Sequence, residues 1–95
     1  MATVTDEILQ GVKNALNVTG TFQDATISGY IAEVMDYMSG AGVSDAVISA
    51  SVGTIARGVS DLWDNDGGNV RMSQYFMHRV AQLAYRSAAQ NGGGS

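Results

Sequence analysis

The sequence contains no cysteine and no proline, and basic residues are scarce. Without cysteine neither a disulfide nor a thiolate metal site can form, so we expect a reducing, cytosolic setting. Five basic residues stand against nine acidic ones, and the net charge of −4 argues against a protein that holds nucleic acid by neutralising phosphates. No uncharged apolar run approaches about 18 residues and the amino terminus has no export-signal pattern, so we predict neither membrane insertion nor secretion.

Apolar residues recur at steps of three and four along most of the chain, which places them on one face of an α-helix. The longest such stretch, residues 43–64, predicts one long central helix that Ser44 caps at its start. The other predicted helices are residues 6–16 after a Thr5 cap, a second from between Thr21 and Asp24 to residues 40–42, and a last one from a Ser73 cap to about Ser87. The expected buried seams are Ile27, Ile31, Val34 and Met38 in the second helix and Ile48, Val52, Ile55, Val59 and Leu62 in the central one.

These elements predict an all-α fold, a small bundle of about four helices around the long central helix. A chain of 95 residues fits one domain, which we place over residues 1–88. Residues 89–95 are rich in glycine and are expected to form a flexible tail.

Four glycines fall inside predicted helices, where each costs about 1 kcal/mol relative to alanine. They are Gly11, Gly29, Gly53 and Gly58. Close approach of a neighbouring helix, within the subunit or from another copy, is the simpler explanation. A helix that bends or shifts during assembly is the alternative.

The last helix carries two apolar stripes. One consists of Met72, Phe76, Val80 and Leu83, and the second consists of Met77, Ala81, Ala84 and Ala88. Two stripes exceed what one four-helix core needs, so the second one indicates either a surface for a partner or a helix that is buried on all sides.

A search for catalytic and metal-binding patterns gives negative results. Residues 64–67 resemble the opening of a calcium loop, but the glycine and the bidentate glutamate that such a loop requires are replaced by Asn69 and Tyr75. His78 is the only histidine, and we expect it on a helix surface. We therefore predict no catalytic residue, no metal site and no cofactor, and we do not expect an enzyme.

Three segments carry a family resemblance that spans residues 5–86. Residues 5–18 contribute TDEIL, VK and LNV, residues 56–63 read ARGVSDLW ahead of a glycine loop, and residues 73–84 read SQYFMHRVAQLA. Together they resemble the small head–tail connector, or adaptor, proteins of long-tailed bacteriophages and prophages. The sequence departs from that pattern at Gln74, where relatives place proline, and its terminal glycine run stands where some adaptors carry a longer arm that grips the portal.

The resemblance implies an all-helical structural subunit of the virion neck, assembled in the bacterial host cytoplasm. Its copies would form a ring, commonly dodecameric, between the portal protein and the stopper or tail-completion protein. The ring would extend the DNA channel without binding DNA specifically, and no membrane partner is expected.

Two groups of residues are candidates for the contacts of such a ring. On and after the central helix they are Arg57, Asp61, Asp64 and Asp66, and on the last helix they are Met77, Ala81, Tyr85 and Arg86. Arg57 and Asp61 are four residues apart and are expected to pair. The alternative function is a small acidic helical interaction or regulatory module that binds one protein as a monomer or dimer.

Overall fold

Five α-helices build the protein in the computed structural model, which describes residues 3–64 and 73–93 but not the side chains of residues 64 and 90–93. The helices are α1 (Asp6–Leu16), α2 (Asp24–Gly40), α3 (Asp45–Ser49), α4 (Val52–Asp64) and α5 (Gln74–Gly93). No strand occurs in the described ranges, so the predicted all-α bundle is confirmed. The predictions for Asp66 and Met72 lie outside the described residues.

Helix α1 begins and ends where the sequence predicts. The Thr5 Oγ1 accepts a hydrogen bond from the Ile8 N–H at 3.2 Å, which satisfies one of the free amides of the first turn. Asn17 adopts a left-handed conformation with φ of 61°, and the Val18 N–H then donates to the Lys13 carbonyl at 2.9 Å. This pattern closes the carboxyl end of the helix.

Helix α2 starts inside the predicted window, at Asp24, but no side chain caps it. The Asp24 carboxylate instead lies 2.7 Å from the Lys13 ammonium, so it is not available to the helix amides. At the other end Gly42 has a φ of 101° and the Val43 N–H donates to the Met38 carbonyl at 3.0 Å. Glycine suits this left-handed position because it has no Cβ.

The prediction of one continuous central helix within residues 43–64 is wrong. Ser44 caps α3 as expected, but the helix is interrupted at Ala50 and Ser51 before α4 begins. The Ser51 hydroxyl donates to the Val47 carbonyl at 2.6 Å, whereas the Ser51 N–H donates to Ile48 at 3.0 Å. The hydroxyl thus bonds the carbonyl that the Ser51 amide would use in an uninterrupted helix, and the amide instead bonds the Ile48 carbonyl where α3 ends.

Helix α4 is the central element, because it packs against α1, α2 and α5. Both predicted seams point into the core, with Val52 as the one member that is only half-buried. The fully buried side chains of α2, α4 and α5 are Ile27, Ile31, Val34, Met38, Ile55, Val59, Phe76, Leu83 and Ser87. Removing this apolar surface from water is the main source of stability for such a fold.

Two of the four helical glycines lie at close helix contacts within the subunit. A Cβ at Gly58 would lie 2.7 Å from Phe76 Cε1 and 2.9 Å from Val34 Cγ1, and one at Gly11 would lie 2.6 Å from Val52 Cγ1. The expected close approach is confirmed there. At Gly29 and Gly53 an added Cβ meets no described atom within 4 Å, so intrasubunit packing does not explain them.

Lys13 is buried, with only 4% of its side chain exposed. Its ammonium donates to the Gly20 carbonyl and pairs with the Asp24 carboxylate, so it joins α1 to the turn that leads into α2. The Asp24 Oδ1 is itself shielded from water, and it meets the ammonium as an ion pair without hydrogen-bond geometry. A charge withdrawn from water needs such partners, because its desolvation is costly.

Helix α5 runs to Gly93, beyond the predicted end near Ser87, so the helix includes residues 89–93 of the expected tail. Residues 88–90 are two alanines and a glutamine, which favour a helix, and no proline interrupts them. Phe76, Val80 and Leu83 are buried as predicted. The alternative prediction, a helix buried on all sides, is wrong. Met77 is 47% exposed and lies on the same stripe as the exposed Ala81.

We expect Gly58→Ala to destabilise the protein. Overpacking a closed core costs about 1–3 kcal/mol, against about 1 kcal/mol gained in helix propensity, so the net loss should be roughly 1 kcal/mol. The matched control is Gly29→Ala, which has open space around it and should raise stability by about 0.5–1 kcal/mol. Urea denaturation measures both changes, and a stabilising Gly58→Ala would contradict the packing described at this position.

We expect Asp24→Ala to lower the free energy of unfolding by on the order of 2–3 kcal/mol, because it leaves the buried Lys13 ammonium without its counter-charge. The double variant Lys13→Met/Asp24→Ala removes both charges and should recover most of that loss. Chemical denaturation of the two single variants and the double variant completes a double-mutant cycle. A loss in the double variant equal to the sum of the two single losses would show that the pair is not coupled.

Candidate functional site

An open groove of about 650 Å³ lies between the α3–α4 segment and α5. Three arginines line it, Arg57 from α4 and Arg79 and Arg86 from α5, together with Tyr75. Small residues line the rest, including Ala46, Ala50, Ser51 and Gly53. We call this feature the arginine groove.

Helical spacing brings the arginines together. Arg79 and Arg86 are seven residues apart, so they lie two turns apart on one side of α5, about 10 Å along its axis. The guanidinium of Arg57 lies 5.0 Å from the centre of the Tyr75 ring, a cation–π contact that joins α4 to α5. The Arg79 Nη1 donates to the Gln82 Oε1 at 3.1 Å.

The groove gathers the positive charge of the described surface. Lys13 is the one other basic residue in the described ranges, and it is buried. No aspartate or glutamate is among the groove's described lining residues. An acidic protein therefore presents one cationic groove, and guanidinium groups are suited to binding carboxylates or phosphates through paired hydrogen bonds.

The interface candidates on α5 do not share one surface. Successive helical residues are rotated by about 100°, so Arg86 lies on the groove side of the buried face and Met77 and Ala81 lie on its other side. Tyr85 is 79% exposed and points away from the core. Among the candidates with described side chains, the structure brings Arg57 and Arg86 together in the groove and places Met77 and Ala81 together on the opposite flank of α5.

Asp61 has a structural role. Its Oδ2 accepts a hydrogen bond from the Ser73 N–H at 3.0 Å, and the Ser73 hydroxyl in turn caps α5 by accepting from the Phe76 N–H at 3.2 Å. Asp61 thus holds the start of α5 against α4. The pairing of Arg57 with Asp61 stays a prediction, and the side chain of Asp64 is outside the described part of the chain.

The second stripe of α5 borders α2. Gly42, just beyond the end of α2, lies near Ala84, because an added Cβ there would be 3.9 Å from the Ala84 Cβ. Tyr37 of α2 packs on Phe76 with ring centres 5.7 Å apart, and yet it is 41% exposed. We define the stripe face as Met77, Ala81, Ala84 and Ala88 of α5 together with the neighbouring Tyr37.

Sequence reasoning missed Arg79 and Tyr37. Tyr75, Arg79 and Arg86 recur at helical spacing, and this signal alone would have placed them on one side of α5. Nothing in the sequence indicates that this side faces Arg57. The exposure of Tyr37 depends on where α5 crosses α2, which the sequence of α2 does not indicate.

The described residues contain no cluster of three or more histidine, aspartate or glutamate side chains placed to hold a metal ion. His78 is exposed in a shallow hollow beside Gln74 and Tyr75, as its predicted surface position requires. Among the described helices none is long and apolar enough to cross a membrane.

Comparison of the chain with family profiles, with curated proteins and with solved structures found no match. A function is therefore inferred from the two exposed surfaces, the arginine groove and the stripe face, and from the sequence patterns of residues 5–18, 56–63 and 73–84.

We expect Asp61→Ala and Arg57→Ala to differ in their effect on stability. Removing the Asp61 carboxylate leaves the Ser73 amide without its acceptor and should cost about 1–2 kcal/mol. Arg57 is exposed, and loss of its cation–π contact should cost less than about 1 kcal/mol. Thermal denaturation followed by circular dichroism compares them, and an equal or larger loss for Arg57→Ala would assign the structural role to the wrong residue.

Proposed function

We propose that this protein is a head–tail connector subunit of a long-tailed bacteriophage or prophage. Its copies form a ring between the portal and the stopper or tail, and the ring extends the channel through which DNA passes. This is a structural role in the virion, without catalysis and without a cofactor. The stripe face is the main support for this role, because it is an apolar surface that packing within the subunit leaves exposed.

The stripe face is suited to protein contacts by its chemistry. Met77 and Tyr37 are large apolar or aromatic side chains that remain 47% and 41% exposed, respectively. Exposed methionine and tyrosine are typical of the centres of protein interfaces. The alanines beside them permit close approach of a second helix, since they add little bulk.

The location of the two surfaces supports a ring. The arginine groove and the stripe face lie on the two sides of the buried face of α5, and their chemistry differs. Two unlike patches on one subunit suit a head-to-tail contact, in which each copy uses one patch toward each neighbour. Such contacts generate closed rings when the rotation between copies completes a circle.

The charge balance supports a DNA channel. A net charge of −4 makes each copy as a whole repulsive toward phosphate. DNA that moves through a channel must not be held by its walls, so an acidic surface favours passage over binding. The resemblance of residues 5–18, 56–63 and 73–84 to adaptor proteins is the reason for choosing this ring among other assemblies.

The proposal is tested by co-sedimentation of the purified protein with the portal ring of the same genome, followed by electron microscopy of the pellet. We expect a second ring stacked coaxially on the portal. A folded protein that leaves an intact portal bare would contradict the proposal and favour a small interaction or regulatory module that acts as a monomer or dimer.

We expect Ala81→Arg to abolish ring formation on the portal without loss of helicity, because it introduces a charge into the apolar stripe face. The control is Gln10→Arg, which adds the same charge to an exposed position of α1 outside both surfaces. Sedimentation with the portal measures assembly, and circular dichroism measures helicity. Normal rings from Ala81→Arg would remove the stripe face from the contacts between copies.

A further inference from the structure

We propose that the arginine groove of one copy binds the acidic edge of α2 on the next copy, formed by the exposed residues Glu33, Asp36 and Tyr37. This inference rests on the proposed function, since it assigns the contact between neighbouring copies in the ring. We call this contact between copies the seam from here on. The occupant of the groove is a second copy of this chain. The pairing joins guanidinium groups on one side of the seam to carboxylates on the other.

Charge separation on the described surface is the first reason. Arg57, Arg79 and Arg86 all line the groove. The described lining residues include none of the exposed acidic side chains, which are Asp6, Glu7, Glu33, Asp36 and Asp45. Any second copy therefore offers the groove a surface of opposite sign, whereas two grooves facing each other would repel.

The unlike character of the two surfaces is the second reason. A two-fold pair centred on the groove would place one groove against the other, which its charges disfavour. A head-to-tail arrangement brings the groove of each copy to a different surface of its neighbour. The charge pattern thus selects the type of contact that builds rings.

The position of Glu33 selects the acidic edge of α2 over the other exposed acids. Glu33 and Tyr37 are four residues apart, so they lie one turn apart on the same side of α2. Tyr37 belongs to the stripe face through its contact with Phe76. The edge therefore offers a carboxylate beside an apolar surface. Asp6 and Glu7, in contrast, occupy the first turn of α1, where they interact favourably with the helix dipole.

The groove has features that match such an edge. Its lining residues Ala46, Ala50 and Gly53 are small and leave room for an aromatic ring between the arginines. Gly53 has open space around it, which a neighbouring copy would fill, and this gives a reason for the glycine that the subunit's own packing does not supply. Arginine and tyrosine are the side chains most enriched among residues that dominate interface energies.

Disulfide trapping tests the seam directly, because the chain has no cysteine of its own. Gly29→Cys lies one turn before Glu33 on the same side of α2, and an added Cβ there meets no described atom within 4 Å. Ala50→Cys lies in the groove. We expect the double variant, oxidised with copper phenanthroline on the portal, to give a ladder of cross-linked oligomers on a non-reducing gel.

The single variants are the matched controls. The seam never brings two copies of one position together, so each single variant should stay monomeric, whereas a mixture of the two should give a cross-linked dimer. Trapping requires the two Cα atoms to approach within about 7 Å. A ladder from the double variant therefore reports that the groove of one copy meets the edge of the next.

Charge reversal gives a second readout. Arg79→Glu and Glu33→Arg should each abolish the ladder, because each places like charges across the seam. Both changes in one chain restore opposite charges and should bring the ladder back. Glu7→Arg, a reversal on α1, should leave it unchanged.

The outcomes separate this inference from the proposed function. Rings on the portal without a ladder would overturn the seam and leave the connector role intact. If no ring forms on the portal, the same oxidation of the concentrated protein alone decides, since a ladder supports the seam and its absence overturns it. Arg79-dependent binding of duplex DNA at about 50 mM salt, without a ladder, would assign the groove to phosphate and overturn the inference.

Discussion

The absence of a side chain at Gly58 is the constraint on which the arrangement of the helices depends. At this position α4 approaches Val34 of α2 and Phe76 of α5 so closely that a single added carbon would lie less than 3.0 Å from either side chain. Both neighbours are fully buried, so neither can move aside without disturbing the core. The glycine thus sets how near α2 and α5 lie to the central helix.

The two exposed surfaces follow from that contact. Because Phe76 is seated against Gly58, the face of α5 that contains Val80 and Leu83 turns inward, and the two flanks of the helix stay outside. One flank meets α3 and α4 and forms the arginine groove, while the other borders α2 and forms the stripe face. The chemistry of the surfaces comes from the sequence of α5, but their separation comes from its packing.

Local signals in the sequence predict most of the helix ends. Thr5, Ser44 and Ser73 cap three helices as expected, and the bounds of α1 follow from its cap and its apolar spacing. The break at Ser51 could not be predicted, because the hydroxyl competes with its own amide for acceptors and the apolar pattern continues through it. The burial of Lys13 could not be predicted either, because it depends on where the next turn places Gly20 and Asp24.

The candidate site was predictable only in part, for a related reason. The sequence indicates Arg57 and Arg86 as interface candidates on two separate helices. The groove that contains both exists because α5 packs beside α4. Periodicity describes one helix at a time and gives no information on which exposed faces become neighbours. The same limit applies to Asp61, whose place on an outer face gave no sign of its bond to the Ser73 amide.

Helix α5 is attached to the rest of the protein by polar contacts at two separate points. Asp61 accepts from the Ser73 amide at one end, and the buried Ser87 hydroxyl accepts from the Ser44 amide at 3.0 Å at the other. These anchors are fourteen residues apart, about 21 Å along the axis. A helix fixed at one point can pivot, but a helix fixed at two can turn only if an anchor breaks. Helix α5 therefore acts as a rigid strut, and a force applied at one end is carried along its length to the other.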